Sequence, residues 1–234
     1  MNWLTPRLLA LMEVIHSPEL AFARHLGGPS YLVPLCVLGV LFVALSSAQA
    51  PLHVHWMQYQ MEEAGAPPDQ VAQQLALIHR SHRFAPVVVP LLLLLRWAAF
   101  AFLLRLTSQL FLEELAFQRL LGIVAYSYLP ILVRDATILL VLFLRGEQAL
   151  ENANGLNVAV GLNLLLPSIP LPWSALAGNV NIFEAWYVIL LVVGLSKRME
   201  CRWQRAAAIV LPNWVFTVLI QFGVVSLFQQ FLNP

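Results

Sequence analysis

The sequence predicts an all-α membrane protein: a five-helix transmembrane bundle with an N-terminal amphipathic helix and a proline-broken re-entrant or interfacial segment. Of the 234 residues, 60% are hydrophobic and 11% are charged, whereas a soluble domain carries about 25% charged residues. The hydrophobic residues form long runs, as expected where lipid is the solvent. No other segment has the composition of a soluble domain, so we expect the membrane part to be the whole protein.

Residues 1–29 are predicted to be a cytoplasmic, amphipathic N-terminal segment. They do not have the pattern of a cleaved signal peptide, which needs a basic start, an apolar run and a small-residue cleavage site. One helical stripe is formed by Leu4, Leu8, Leu11 and Ile15. The stripe fits a helix lying on the inner membrane surface and equally a helix packed against the bundle, because both require an apolar face.

The membrane domain is predicted to cover residues 30–234. Its spans lie near residues 30–49, 84–106, 120–144, 182–196 and 206–231. The fourth span is short for a bilayer core of ~30 Å, since a helix rises ~1.5 Å per residue. Between the first two spans, residues 50–83 are polar and are interrupted by Pro67 and Pro68, which predicts two short helices outside the membrane.

The apolar segment 156–178 contains Pro167, Pro170 and Pro172. Prolines this close together leave backbone carbonyls without donors, which an intact helix exposed to lipid cannot tolerate. A re-entrant or interfacial segment therefore fits better than a sixth span, which is the alternative.

The distribution of Lys and Arg predicts the orientation, because cytoplasmic loops are enriched in both. With the N-terminus in the cytoplasm and the C-terminus in the periplasm, most of the basic residues fall on the inner side. These inner residues are Arg7, Arg24, Arg105, Arg119, Lys197, Arg198, Arg202 and Arg205, against Arg80, Arg83 and Arg145 outside.

Three segments together resemble the Yip family, named for members that interact with Ypt/Rab GTPases. Residues 117–130 resemble its marker segment, in which a tyrosine (here Tyr126) is followed by small residues and by a proline four positions later. Residues 181–196 resemble the Phe-x-x-Trp…Gly-Leu-Ser helix of bacterial members, and residues 15–22 their proline-containing entry. The resemblance covers roughly residues 15–223.

This resemblance implies a five-span fold, trafficking or membrane-shaping roles in eukaryotes, and accessory subunits of efflux transporters in bacteria. Ala125 replaces the glycine that often precedes the tyrosine, and the Asp-Leu-Tyr-Gly-Pro entry of eukaryotic members is absent. A Rab-type GTPase is therefore not expected as a partner. We expect a bacterial inner-membrane protein that contacts the lipid bilayer and either another membrane protein or a second copy of itself.

Two helix faces are candidate seams. The first is formed by Gly122, Tyr126, Pro130 and Arg134, and the second by Phe183, Trp186, Leu190 and Gly194. Glycine lets helices approach closely, and Pro130 predicts a kink because it cannot donate to the Tyr126 carbonyl. Packing is the first interpretation of both faces. A lipid or small-molecule site beside the kink and a groove for a partner helix are the alternatives.

The charged residues Arg96, Arg134 and Asp135 fall inside predicted spans. A charge near the bilayer centre costs at least about 2.5–3.5 kcal/mol, so these side chains should face the bundle interior. We expect Asp135 to pair with Arg96, or Arg134 to reach an aqueous opening. The group is either a structural clamp or a site for transport or a lipid headgroup. Glu184 is expected at the outer interface.

The outer loop carries His53, His55, His79 and His82. Imidazoles bind Zn or Ni, but these pairs meet only if the loop folds back, so a solvated loop is the first interpretation and a metal site is the alternative. The two cysteines, Cys36 and Cys201, are too few and too far apart for a disulfide framework. We expect no cofactor.

No catalytic constellation or phosphate-cradling glycine loop is present in the sequence, and the net charge of +1 does not favour nucleic acid. The sequence therefore predicts a non-enzymatic accessory or scaffold protein that acts through helix–helix contacts with a membrane complex such as an efflux transporter. The alternative is a small transporter or lipid-handling protein that uses the intramembrane charges.

Overall fold

A computed structural model describes residues 4–25, 31–111, 115–146, 156, 158–166 and 171–232. Within those ranges the regular elements are all helical. They are α1 (Leu4–His16), α2 (Pro18–His25), α3 (Leu32–Glu63), α4 (Pro68–His82), α5 (Ala85–Leu110), α6 (Phe117–Ser127), α7 (Leu129–Arg145), a 3₁₀ turn (Leu162–Leu164), α8 (Leu171–Gly178), α9 (Ile182–Met199) and α10 (Trp203–Leu232).

Four helical stretches in the described part of the chain are long and apolar enough to cross a membrane. They are Leu32–Glu63, Ala85–Leu110, Phe117–Arg145 and Trp203–Leu227. These correspond to the first, second, third and fifth predicted spans, so the membrane character of the chain is confirmed. The fourth predicted span corresponds to α9. This helix has 18 residues, which is a length of about 27 Å, and it carries Glu184, Lys197 and Arg198. These three charged residues within 18 positions separate α9 from the four long apolar stretches.

Helix α3 is longer than predicted. The prediction of two short helices between residues 50 and 83 is wrong for the first of them, because α3 continues through Pro51 to Glu63 without a break. A proline inside a helix removes one backbone hydrogen bond but does not have to end the helix. The second predicted helix is α4, which begins at the Pro67–Pro68 interruption and packs back against α3.

The N-terminal segment folds against the bundle, which is one of the two arrangements that its apolar stripe allows. Helix α1 buries Ala10, Leu11 and Val14 and contacts α2, α3 and α6. The predicted stripe is only partly correct, since Leu8 and Ile15 are exposed. The small side chain of Ala10 allows α1 to approach its neighbours on a face rotated from the predicted one.

Helix α9 lies at the centre of the bundle. It packs against α2, α6, α7 and α10, and its side chains Leu190, Leu191 and Leu195 are fully buried. This arrangement brings the polar start of α9 next to α7 and α10.

Of the proline-broken segment 156–178, the 3₁₀ turn and α8 are described, whereas Pro167 and Pro170 lie outside the described residues. The turn lies against the end of α8. The approach is so close that a Cβ added at Gly161 would lie 2.8 Å from the carbonyl oxygen of Gly178. Helix α8 packs against α10, with the rings of Trp173 and Phe222 5.1 Å apart. The segment is therefore held against the bundle at the start of α9.

Candidate functional site

The helix that carries the first candidate seam is broken at Tyr128, as Pro130 predicts. Helix α6 ends at Ser127 and α7 begins at Leu129. Pro130 lies in the first turn of α7, where its missing N–H has no helical partner to lose. The kink is thus confirmed, and the break places the buried ring of Tyr128 between two helices.

Tyr126 links the seam to the N-terminal segment. Its side chain is buried, and its hydroxyl donates a hydrogen bond of 3.2 Å to the backbone carbonyl of Arg7 in α1. Gly122 is buried one turn earlier on α6. This half of the seam therefore packs α6 against neighbouring helices, which favours the packing interpretation.

Of the second candidate seam, Leu190 and Gly194 lie on the fully buried face of α9, whereas Phe183 and Trp186 do not. Phe183 and Trp186 are half-buried, and the fully buried face of α9 instead carries Glu184 and Tyr187. Gly194 belongs to this face, and a Cβ added there would lie 2.8 Å from Ile123 Cγ2 and 3.1 Å from Phe22 Cε1. The glycine is needed because α2 and α6 both approach α9 at this point.

The intramembrane charges pair differently from the prediction. Arg134 donates from Nη1 to Glu184 Oε1 at 2.9 Å and from Nε to Asp135 Oδ1 at 2.9 Å. The predicted pair of Asp135 with Arg96 is therefore wrong. The reason is that the flexible side chain of Arg134 reaches the adjacent Asp135. Helix α9 brings a second carboxylate, that of Glu184, to the same arginine.

Glu184 is positioned by the start of α9. Asn181 is the N-cap of this helix and accepts a 2.8 Å hydrogen bond from the Glu184 N–H, which fixes the first turn. The carboxylate is only 4% exposed, and Trp214 of α10 donates to its Oε2 at 3.4 Å. Glu184 is thus buried within the bundle at the start of α9, and it joins α7, α9 and α10.

Arg96 lies over an aromatic cluster rather than beside a carboxylate. Its guanidinium carbon is 5.4 Å from the centroid of the Tyr128 ring, within the range of a cation–π interaction. The rings of Trp97 and Tyr187 each lie 5.7 Å from the Tyr128 ring. Among the described residues, Arg96 has no ion pair within 4 Å.

A cavity of about 210 Å³ opens beside this cluster, between α5, α9 and α10. Its lining includes Arg96 and Phe100 of α5, Glu184 and Tyr187 of α9, and Trp214 of α10. The lining is mostly apolar, with charge at a few points. The charged residues of the cluster and the cavity together form the candidate site.

The structure does not bring the four outer histidines together into a metal site, which was the alternative interpretation of them. Helices α3 and α4 do fold back on one another, yet in the part of the chain that the structure describes, no three His, Cys, Asp or Glu side chains converge. His79 Nδ1 lies 2.8 Å from the backbone carbonyl of Leu75. A tetrahedral zinc site needs at least three protein ligands, so the fold-back alone is not sufficient.

Glu184, Tyr128, Tyr187 and Trp214 are the members of the site that the sequence did not identify. For Glu184 a signal was present, since an acidic residue three positions after an N-cap asparagine belongs to the first turn of an apolar helix. The aromatic residues carry no comparable signal, because their role depends on which helices are neighbours.

These features define an integral membrane protein whose buried charges and aromatic side chains hold a bundle of apolar helices together. A model of the Yip1 domain family matches residues 12–225, and the chain belongs to this family. No curated protein and no solved structure matches it at a significant level.

Proposed function

We propose that this Yip1-family protein is a non-enzymatic accessory or scaffold protein that contacts another membrane complex, such as an efflux transporter, in the inner membrane of a bacterium. The observation that carries the proposal is a helical hairpin that extends from the bundle. This outer hairpin comprises residues 51–82, that is, the second half of α3, the connection, and α4.

The length of α3 supports a projection beyond the membrane. Its 32 residues make a rod of about 48 Å, which exceeds the ~30 Å hydrocarbon core by about 18 Å. Helix α4 buries only Val71 among its side chains and exposes Gln73 and Leu77. A rigid extension with an accessible surface suits a protein that binds a partner outside the bilayer.

The charge cluster supports the scaffold function because it acts as a clamp. Arg134 bonds to both Asp135 and Glu184, and its bond to Glu184 fixes α7 against α9. Buried ion pairs contribute more reliably to a specified arrangement than to stability. A bundle fixed in this way presents its outer hairpin in one orientation.

We also propose five spans with the N-terminus in the cytoplasm and α9 as the fourth span. Helix α9 runs antiparallel to the third span: Glu184 meets Arg134, and Gly194 meets Ile123 nearer the start of that span. In this arrangement segment 156–178 re-enters or lies at the interface on the periplasmic side, because it leads directly into the buried start of α9.

Contacts at the opposite end of the bundle support this orientation. Lys197 at the end of α9 pairs with Glu19 of α2 at 2.6 Å, and Arg205 donates to the carbonyl of Phe111 at 2.7 Å. Helix α2, the end of α5 at Phe111 and the turn between α9 and α10 therefore meet at one end. That end carries most of the basic residues, which favours the cytoplasm.

Copurification in mild detergent tests the scaffold proposal. We expect a stoichiometric membrane partner, and photo-crosslinks to it from a probe at Gln73 but not from one at Leu140, which is exposed on α7. Leu77→Asp should lower recovery of the partner, whereas Leu110→Asp, at an exposed leucine of α5, should leave it unchanged. A protein that purifies alone, or a partner retained equally by both variants, contradicts the proposal.

A further inference from the structure

We infer that the cavity between α5, α9 and α10 binds a single-chain carboxylate amphiphile of the fatty-acid type, with Arg96 holding the carboxylate and the chain entering the apolar part. This inference goes beyond the accessory function and does not depend on a protein partner. Four observations carry it: the size of the cavity, its unused donors, its opening and its charge.

The cavity is large enough for part of an acyl chain. Its volume of about 210 Å³ exceeds the roughly 150 Å³ of an apolar cavity that admits benzene. Away from Arg96 the walls are mostly apolar and include Phe100, Leu103, Val218 and Ile220. An apolar space of this size bordered by a single cation fits one chain with one polar end.

The polar end has hydrogen-bond donors without acceptors. The guanidinium of Arg96 has five N–H donors, yet in the described part of the chain its recorded contact is the face of Tyr128. Donors without acceptors beside an apolar space favour a ligand that supplies acceptor oxygens.

The ligand should be an anion rather than a cation. The carboxylate of Glu184, which also lines the cavity, already accepts from Arg134 and Trp214. The cation of Arg96 has no such partner in the described structure. A carboxylate matches the planar guanidinium because both of its oxygens can accept parallel hydrogen bonds.

The cavity opens towards the surface that faces lipid. Arg96 is exposed and also lines the cavity, so it stands at the entrance. Leu92 and Leu95 on the same part of α5 are exposed as well, as expected for side chains in contact with acyl chains. An arginine beside such a surface is favoured by a partner that supplies acceptor oxygens, and an anionic headgroup from the bilayer can reach it there.

Calorimetric titration of the full chain in nonionic detergent with oleate tests the inference. We expect one site, with binding weakened at least tenfold by Arg96→Met and less by Arg96→Lys, which keeps the charge but loses the fork. Ala99→Leu, at a residue lining the cavity, should also weaken binding at least tenfold by filling the space. Arg105→Met, which removes a charge from the same helix outside the cavity, is the matched control and should bind oleate normally.

Two further ligands distinguish the chemistry. Oleyl alcohol has the same chain without the charge and should bind at least tenfold more weakly than oleate, with no further loss in Arg96→Met. Dioleoyl phosphatidate tests a phosphate headgroup. Equal binding of the alcohol and oleate, preferential binding of phosphatidate, or normal oleate binding by Ala99→Leu would overturn the inference. Thermal unfolding of each variant shows whether it is folded. If Arg96→Met does not fold, oleate binding by Ala99→Leu tests the inference.

Discussion

Glu184 is the carboxylate that joins α7, α9 and α10, and Glu184→Gln removes its charge while keeping its shape. Arg134 then retains only Asp135 as an ionic partner. Removing one member of a buried ion pair costs about 3–5 kcal/mol because the other charge remains buried. Since Asp135 stays in place and the Arg134 side chain is 19% exposed, we expect a loss of unfolding free energy near the lower end, about 3 kcal/mol.

The loss can be measured by unfolding the purified protein in mixed micelles with increasing SDS, followed by tryptophan fluorescence and circular dichroism. Asp135→Asn is the matched control, because it removes a carboxylate from the same arginine. The Asp135 side chain is 29% exposed. Because Asp135 follows Arg134 in the chain, their pairing joins no second helix. We expect a loss of about 1 kcal/mol, as for pairs with access to solvent.

A larger effect for Asp135→Asn than for Glu184→Gln would refute the assignment of the clamp to the α7–α9 contact. The double variant Arg134→Met/Glu184→Leu provides a further check. Replacing both charges by apolar side chains should recover part of the stability lost in Glu184→Gln, because the two most buried charges are removed together and the charge that remains, on Asp135, is 29% exposed. A double variant less stable than Glu184→Gln would contradict the desolvation argument.

Gly194→Ala should lower the unfolding free energy by about 1–3 kcal/mol, the usual range for overpacking, because the new methyl group would lie 2.8 Å from Ile123 Cγ2. Gly223→Ala, with no atom within 4 Å of the added carbon, should be neutral or stabilising by up to about 1 kcal/mol, and equal losses in both variants would exclude the steric explanation. Tyr126→Phe removes the hydrogen bond to the Arg7 carbonyl and should cost about 1 kcal/mol. It should also increase protease cleavage within α1, and unchanged cleavage would show that this bond does not hold the segment.

Local signals in the sequence were sufficient for the features that depend on neighbouring residues. Hydropathy located the four long apolar stretches, and Pro130 located the break between α6 and α7. Local signals also explain why the continuation of α3 was not predicted. Pro51 and the polar residues after it are typical of a helix end, but α4 packs along the extension and stabilises it.

The partners of the charged residues could not be predicted from local signals. Whether Arg96 or Arg134 meets a carboxylate depends on the depth and rotation of α5, α7 and α9, which packing determines. The rotation of α9 itself differs from the predicted stripe, since Glu184 and Tyr187 are buried where Phe183 and Trp186 were expected. That difference brings a carboxylate to Arg134.

The charge balance of the site explains how these residues are tolerated within an apolar bundle. Arg134 between Asp135 and Glu184 leaves one net negative charge, and Arg96 supplies one positive charge nearby. The group is therefore neutral as a whole, and its cost in the bilayer is much lower than that of separate ions. The hydrogen bonds are nevertheless shared unevenly between the two arginines. Both carboxylates bond to Arg134, whereas Arg96 faces the Tyr128 ring. A clamp that is neutral in charge but has unused donors at the cavity can both fix the helices and bind the carboxylate of an amphiphile.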